Sequence, residues 1–199
     1  MNIFIHHRDI RFQDNTTLNL MYQKLKAPIT PVFIFPPEQI DPKKNKYFSN
    51  NLVQFMCESL EELDNEYRKK KGGINFFEGD TLKVLKDIQK KSKIQSIGFN
   101  LDYSPYAKKR DKKIKKWAET ENILVFSEED MLLHNLLDGD TKSKNSGDPY
   151  KVFTPFMKHL RANYKVKNPT KKSIKVKKMS INSKYEITVK EINKFYKKK

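Results

Sequence analysis

Short apolar runs alternate with amphipathic helical patterns along the first 126 residues, and that alternation restricts the chain to one kind of architecture. Asn2–His6 (NIFIH) is apolar almost without interruption, the mark of a strand covered on both faces. Ile29–Phe35, Ile74–Phe77, Ile94–Phe99 and Ile123–Phe126 read as four further strands, the second ended by Pro36-Pro37. Between them lie apolar residues at three- and four-residue spacing. Leu18, Leu20, Met21 and Leu25 follow a capping stretch, Asp14–Thr17. Leu52, Phe55, Met56, Leu60, Leu63 and Tyr67 form a longer stripe, stopped by Gly72-Gly73. Leu82, Leu85 and Ile88 make a third, and Ile114, Trp117 and Ala118 a fourth that opens at Ser104-Pro105. Repeated strand–helix–strand units demand parallel pairing through right-handed crossovers. The expected fold is therefore α/β, an open doubly wound parallel sheet of five strands.

The pattern changes after Phe126. Asp138–Asp148 is rich in Gly, Ser, Asp and Asn and reads as a loop, and Tyr150–Met157 sets up a helix with Thr154 as cap and Pro155 as first residue. The formal net charge of +17 is unevenly spread. Residues 1–160 carry +5 of it and residues 161–199 carry +12. We accordingly expect a folded domain over 1–160 and, over 161–199, a lysine-rich tail or truncated interdomain connector, solvated or disordered, with only scraps of alternation at Ile174/Val176 and Ile187/Val189. Within that tail Lys171, Lys172, Lys175, Lys177 and Lys178 are the candidates for nonspecific contact with nucleic-acid phosphates.

Several chemistries are excluded. No run is apolar for the roughly 18 residues a membrane helix needs, and the N-terminus enters a strand directly instead of a secretory leader. An intracellular, soluble protein is expected, and the lone Cys57 suits a reducing compartment. Dinucleotide, phosphate-loop and nucleophile-elbow motifs are all absent. His6 and His7 are adjacent on a strand, point to opposite faces and cannot chelate one metal together. In open parallel sheets, ligands bind beyond the carboxyl ends of the strands. Arg8, Asp9 and Arg11 follow the first strand, and Asn100, Asp102 and Tyr103 follow the fourth, so these six are the candidate ligand-binding residues. Their bland alternative is an ion pair and a loop cap.

Five segments in series resemble the photolyase/cryptochrome family. Arg8-Asp9-Ile10-Arg11 with Asp14-Asn15 resembles its R-D-[LI]-R-x-x-D-N, and ITPVFIF from Ile29 its second strand. The helix with Phe55 and Glu58–Leu63 resembles F-L-x-E-S-L-x-x-L, and Asn100–Asp111 is similar to N-x-D-Y-x-P-Y-A-x-x-R-D. Tyr150–Phe156 resembles the segment that ends the family's first domain. The resemblance implies the strand order 3-2-1-4-5 and a cleft for a folate or deazaflavin antenna. It assigns light-driven DNA repair to a following helical domain that holds FAD and is absent from this chain. The family's tryptophan electron-transfer chain also belongs to that domain; here Trp117 is the only tryptophan. No catalytic residue is therefore expected in this chain, FAD is expected only with a separate C-terminal half, and DNA only through that complex or weakly through the tail. Two sites depart from the pattern. Tyr106-Ala107 stands where folate-binding relatives often carry Asn and Glu, and His6-His7 replaces the usual aromatic and arginine. A stand-alone chromophore- or nucleotide-binding module and a nonspecific nucleic-acid-binding protein are the competing readings.

Overall fold

The computed structural model describes residues 1–132, 142–143, 146–166, 168–170 and 173–195, the last three of these as backbone only. Strands β1 (Asn2–His6), β2 (Thr30–Phe35), β3 (Asn75–Glu78), β4 (Ser96–Asn100) and β5 (Leu124–Glu128) form one sheet in the order 3-2-1-4-5. All four pairings are parallel, with Ile5 opposite Val32 and Phe4 opposite Gly98 fixing the register around the central strand. The connections are helices α1 (Thr16–Leu25), α2 (Pro37–Ile40), α3 (Asn50–Lys69), α4 (Thr81–Lys91) and α5 (Pro105–Thr120), with α6 (Phe153–Asn163) after the sheet.

Burial follows the pleat. Phe4, Phe33 and Phe35 point to one face, under Leu18 and Met21 of α1 and Leu60 of α3. Ile3, Ile5, Val32 and Ile34 point to the other, under Leu85 of α4 and Ile114 of α5. Both faces of β1 are covered, so its residues have no polar alternation to display. Gly98 marks the tightest approach, because a Cβ there would overlap the Met21 sulfur.

Helix ends show which local signals hold. Asn15 caps α1 by accepting from the Leu18 N–H at 3.2 Å, and Ser104 and Asp80 cap α5 and α4 in the same way. The Thr154 cap is corrected: α6 starts at Phe153, its cap position is Val152, and no side chain serves it. The stripe on α3 also shifts. Its core residues are Val53, Met56, Cys57, Leu60, Leu63 and Tyr67, whereas Leu52 and Phe55 are exposed. A helical repeat through Leu60 and Tyr67 reaches Val53, not Leu52, one further pair of turns toward the N-terminus. The Asp138–Asp148 loop lies largely outside the described residues.

The largest correction concerns the tail. Its described part is a strap bound to the sheet. Ile29 N–H donates to Lys175 O and Lys177 N–H to Ile29 O, each at 3.0 Å, as a parallel bridge to Val176. Farther on, Glu78 N–H donates to Tyr185 O at 2.8 Å and Ile187 N–H to Phe76 O at 3.1 Å, around an antiparallel bridge between Phe77 and Glu186. Ile174, Val176, Val189 and Ile192 are buried in the same core as α3. β3 is an edge strand, and an open edge leaves backbone donors and acceptors unpaired. The strap supplies the partners, so the folded unit extends well past residue 160.

Candidate functional site

The carboxyl end of the sheet is organised around Asp9. Its Oδ2 accepts from Asn15 Nδ2 at 2.8 Å and from Asn100 Nδ2 at 2.9 Å, while Oδ1 accepts from the His7 N–H at 2.9 Å. Asn100 Nδ2 also donates to Asn15 Oδ1 at 2.9 Å, and Asn100 Oδ1 accepts from the Thr17 N–H at 3.0 Å. These bonds tie the ends of β1 and β4 to the start of α1, where the strand order reverses. Burial works against the Asp9 carboxylate, but the hydrogen bonds it accepts from His6 and from the His7 N–H outweigh it and hold the carboxyl well below its usual range.

Beside this frame opens a cavity of about 360 Å³, a volume within the range of small-ligand sites. Its walls come from the ends of β1 (His6, His7, Arg8) and β2 (Phe33, Ile34, Pro36), from α2 (Glu38, Gln39), and from Thr81. Asp102, Tyr106 and Arg110 of the β4–α5 segment close one side, and Asn45, Tyr47 and Leu52 the other. The lining is mainly apolar with charge at the rim. Arg8 Nη1 lies 3.7 Å from Asp102 Oδ2, and the Arg110 guanidinium sits 6.0 Å from the Tyr106 ring centroid.

His7 is the least satisfied group in this wall. Both of its ring nitrogens are sealed from solvent and neither has a hydrogen-bond partner. Burial, aided by the nearby Arg110 charge, lowers its pKa from 6.5 to about 3, so the ring is neutral at ordinary pH. Arg110 donates through Nε to Asp111 Oδ1 at 2.8 Å; its Nη2 is close to the same oxygen yet has no aligned acceptor. A neutral imidazole and a guanidinium N–H thus both lack an aligned hydrogen bond beside a mainly apolar slot.

The structure distributes the six sequence candidates unevenly. Arg8 and Asp102 line the cavity. Asp9 and Asn100 do not; they are the buried frame just described. Arg11 turns away, donating to Asp130 Oδ2 at 2.6 Å and to Asp14 O at 3.0 Å. Tyr103 faces a separate groove with Lys108, Lys112, Lys115 and Lys116. Lys171 and Lys172 lie outside the described residues. Lys175, Lys177 and Lys178 are exposed on the strap, alternating in part with buried Ile174 and Val176. His6, His7, Tyr106 and Arg110 were not among the six. The signal for His6 and His7 was present, since they end the first strand and break the family pattern. No group of His, Cys, Asp and Glu able to hold a metal occurs among the described residues, nor any helix long and apolar enough to cross a membrane.

A doubly wound parallel sheet with a cleft at its strand reversal has its opening where open α/β sheets hold ligands when they bind them. The DNA photolyase family model matches residues 2–175, and the chain belongs to that family. It is 26% identical over 160 residues to a deoxyribodipyrimidine photo-lyase of a Synechococcus species, covering 80% of this chain and 32% of that one. A (6-4)DNA photolyase of Arabidopsis thaliana is likewise 26% identical, over 76% of this chain and 28% of its own. An archaeal photolyase from Sulfolobus tokodaii, solved with two FAD molecules and described as implying a novel light-harvesting cofactor, superposes with a TM-score of 0.79 at 33% identity. That match covers 99% of this chain and 42% of the other. The chain thus corresponds to the N-terminal part of these relatives and spans between 28% and 42% of their length.

Proposed function

We propose that this chain is the light-harvesting half of a photolyase, and that its cleft holds a planar aromatic heterocycle of the flavin or deazaflavin class. The observation that carries this reading is His7, neutral and without a hydrogen-bond partner in a mainly apolar wall at the strand reversal. A buried polar group left unpaired costs about 1–3 kcal/mol, which a ligand with a complementary polar edge recovers. Such a heterocycle fits: its faces suit Phe33, Ile34 and Leu52, and its edge suits His7 and Arg110. When bound, it would absorb near-ultraviolet or blue light and pass the excitation on. Arg8, on the rim, suits a phosphate or other anionic side arm.

The neighbouring photolyase from Sulfolobus tokodaii, with its two FAD molecules, supports a flavin over a folate, as does Tyr106-Ala107 where folate-binding relatives often differ. Repair activity would require an FAD-binding domain besides the residues described, and DNA would be reached through it. Titration of the purified chain with FMN, FAD and a reduced folate, followed by emission quenching, tests the reading. Saturable binding of a flavin with weaker folate binding is expected; no saturable binding of any of them refutes it.

A further inference from the structure

Beneath the cleft lie groups that ligand contact alone leaves unexplained. Tyr67, on the buried face of α3, is fully enclosed, and its hydroxyl lies 2.7 Å from His6 Nε2. His6 is itself buried and forms part of the cleft wall. Its Nδ1 is 2.9 Å from the Asp9 carbonyl oxygen and 3.4 Å from the Asp9 carboxylate. Those oxygens only accept, so the geometry assigns the ring proton to Nδ1 and leaves Nε2 to accept from the Tyr67 hydroxyl. The result is a phenol–imidazole–carboxylate series running from α3 to the end of β1, one imidazole away from the cleft.

We propose that Tyr67 and His6 form a proton-coupled electron donor to a flavin held in the cleft, so that light absorbed there can reduce the flavin as well as be passed on. The inference rests on the chromophore reading above. Tyr67 loses one electron to the photoexcited flavin, which is the oxidant and gains that electron. The phenolic O–H bond breaks, and its proton forms a bond to His6 Nε2. The imidazolium charge is compensated by the Asp9 carboxylate. Return of the electron and the proton restores Tyr67.

The surroundings suit this step. Burial, reinforced by the charges of Asp9 and Glu66, raises the Tyr67 pKa well above its ordinary value, so the phenol keeps its proton until it is oxidised. An oxidised phenol is a far stronger acid and needs a base already in contact. His6 is that base, and Phe12, edge-on at 5.0 Å, encloses the ring in apolar surroundings that slow reaction of the radical with solvent.

Two measurements on the full chain test the proposal. In the first, flash oxidation by ruthenium tris(bipyridine) with persulfate, without flavin, is followed by electron paramagnetic resonance. A long-lived neutral tyrosyl radical is expected, forming more slowly in heavy water, and absent from Tyr67→Phe. In the second, FMN is illuminated with the chain and no added donor. Its photoreduction is expected to fall about tenfold in Tyr67→Phe, with FMN affinity unchanged because Tyr67 does not line the cavity. Equal radical yield in both proteins, or no solvent isotope effect in the native chain, overturns the donor pair; the isotope effect needs no variant to fold. FMN that binds but photoreduces equally in both proteins also overturns it. Failure of FMN to bind overturns the chromophore reading instead, and the flash measurement still decides the pair.

Discussion

Replacing His7 by phenylalanine should make the protein more stable, and increasingly so as the pH falls. In the folded chain the His7 pKa is lowered from 6.5 to about 3 by burial, so the folded state resists a proton that the unfolded state takes up readily. Wherever the unfolded state binds more protons, stability rises with pH. The neutral ring therefore costs nothing by this route above pH 6.5, and stability is lost progressively as the pH falls from there toward about 3. At about pH 5 the unfolded histidine lies some 1.5 units below its pKa, a loss of about 2 kcal/mol relative to about pH 8. A phenyl ring cannot titrate, and the substitution also removes two unpaired buried nitrogens, a relief of about 1–3 kcal/mol at any pH. Urea unfolding followed by the fluorescence of Trp117, which is nearly buried, measures both proteins at the two pH values. A native-minus-variant difference that is the same at both would refute the burial of an uncharged His7. A native histidine that costs stability is the kind of compromise expected of a binding site.

Asp9→Asn should destabilise the fold by about 1–3 kcal/mol, because only one of its side-chain atoms still accepts, so an NH2 group faces either the Asn15 and Asn100 donors or the His7 N–H; urea midpoints check this. Ile192→Ala, on the strap, should cost about 2–4 kcal/mol, since Ile192 is fully buried against α3; an unchanged midpoint would mean that the strap does not dock. The triple variant Lys175→Glu, Lys177→Glu, Lys178→Glu should lower any DNA affinity and flatten its salt dependence by roughly 0.9 for each phosphate no longer neutralised, as read by anisotropy across a salt series. Equal slopes would leave these lysines as solvated charge.

The sheet was legible because each core strand announces itself: β1 and β2 are apolar on both faces, and Gly98 and Pro105 mark a close approach and a helix start. Strand order came only with the family resemblance, since no local pattern encodes which strands are neighbours. The cleft was half legible. Arg8 and Asp102 follow strands and were found by that rule, but Tyr47 reaches it from a loop, Glu38 from a short helix hidden behind Pro36-Pro37, and Leu52 from the first turn of α3. Asp9 and Asn100 show the rule's weakness: a polar residue at a strand end can hold the loops that form a site without touching the site itself. The strap escaped detection for a different reason. Its apolar residues come as isolated pairs between lysines, and only tertiary features, the free backbone of Ile29 beside β2 and the open edge of β3, give those pairs something to bind.

The most direct test of the chromophore cleft follows the ring nitrogens of His7 by nitrogen-15 resonance while FMN is added. Without FMN, a neutral ring that does not protonate above about pH 4 is expected. With FMN, one His7 ring nitrogen should shift as it gains a hydrogen bond, and His7→Phe should weaken FMN binding by about tenfold, the worth of one such bond. Saturable FMN binding that leaves both His7 resonances unmoved would place the ligand elsewhere and contradict the account.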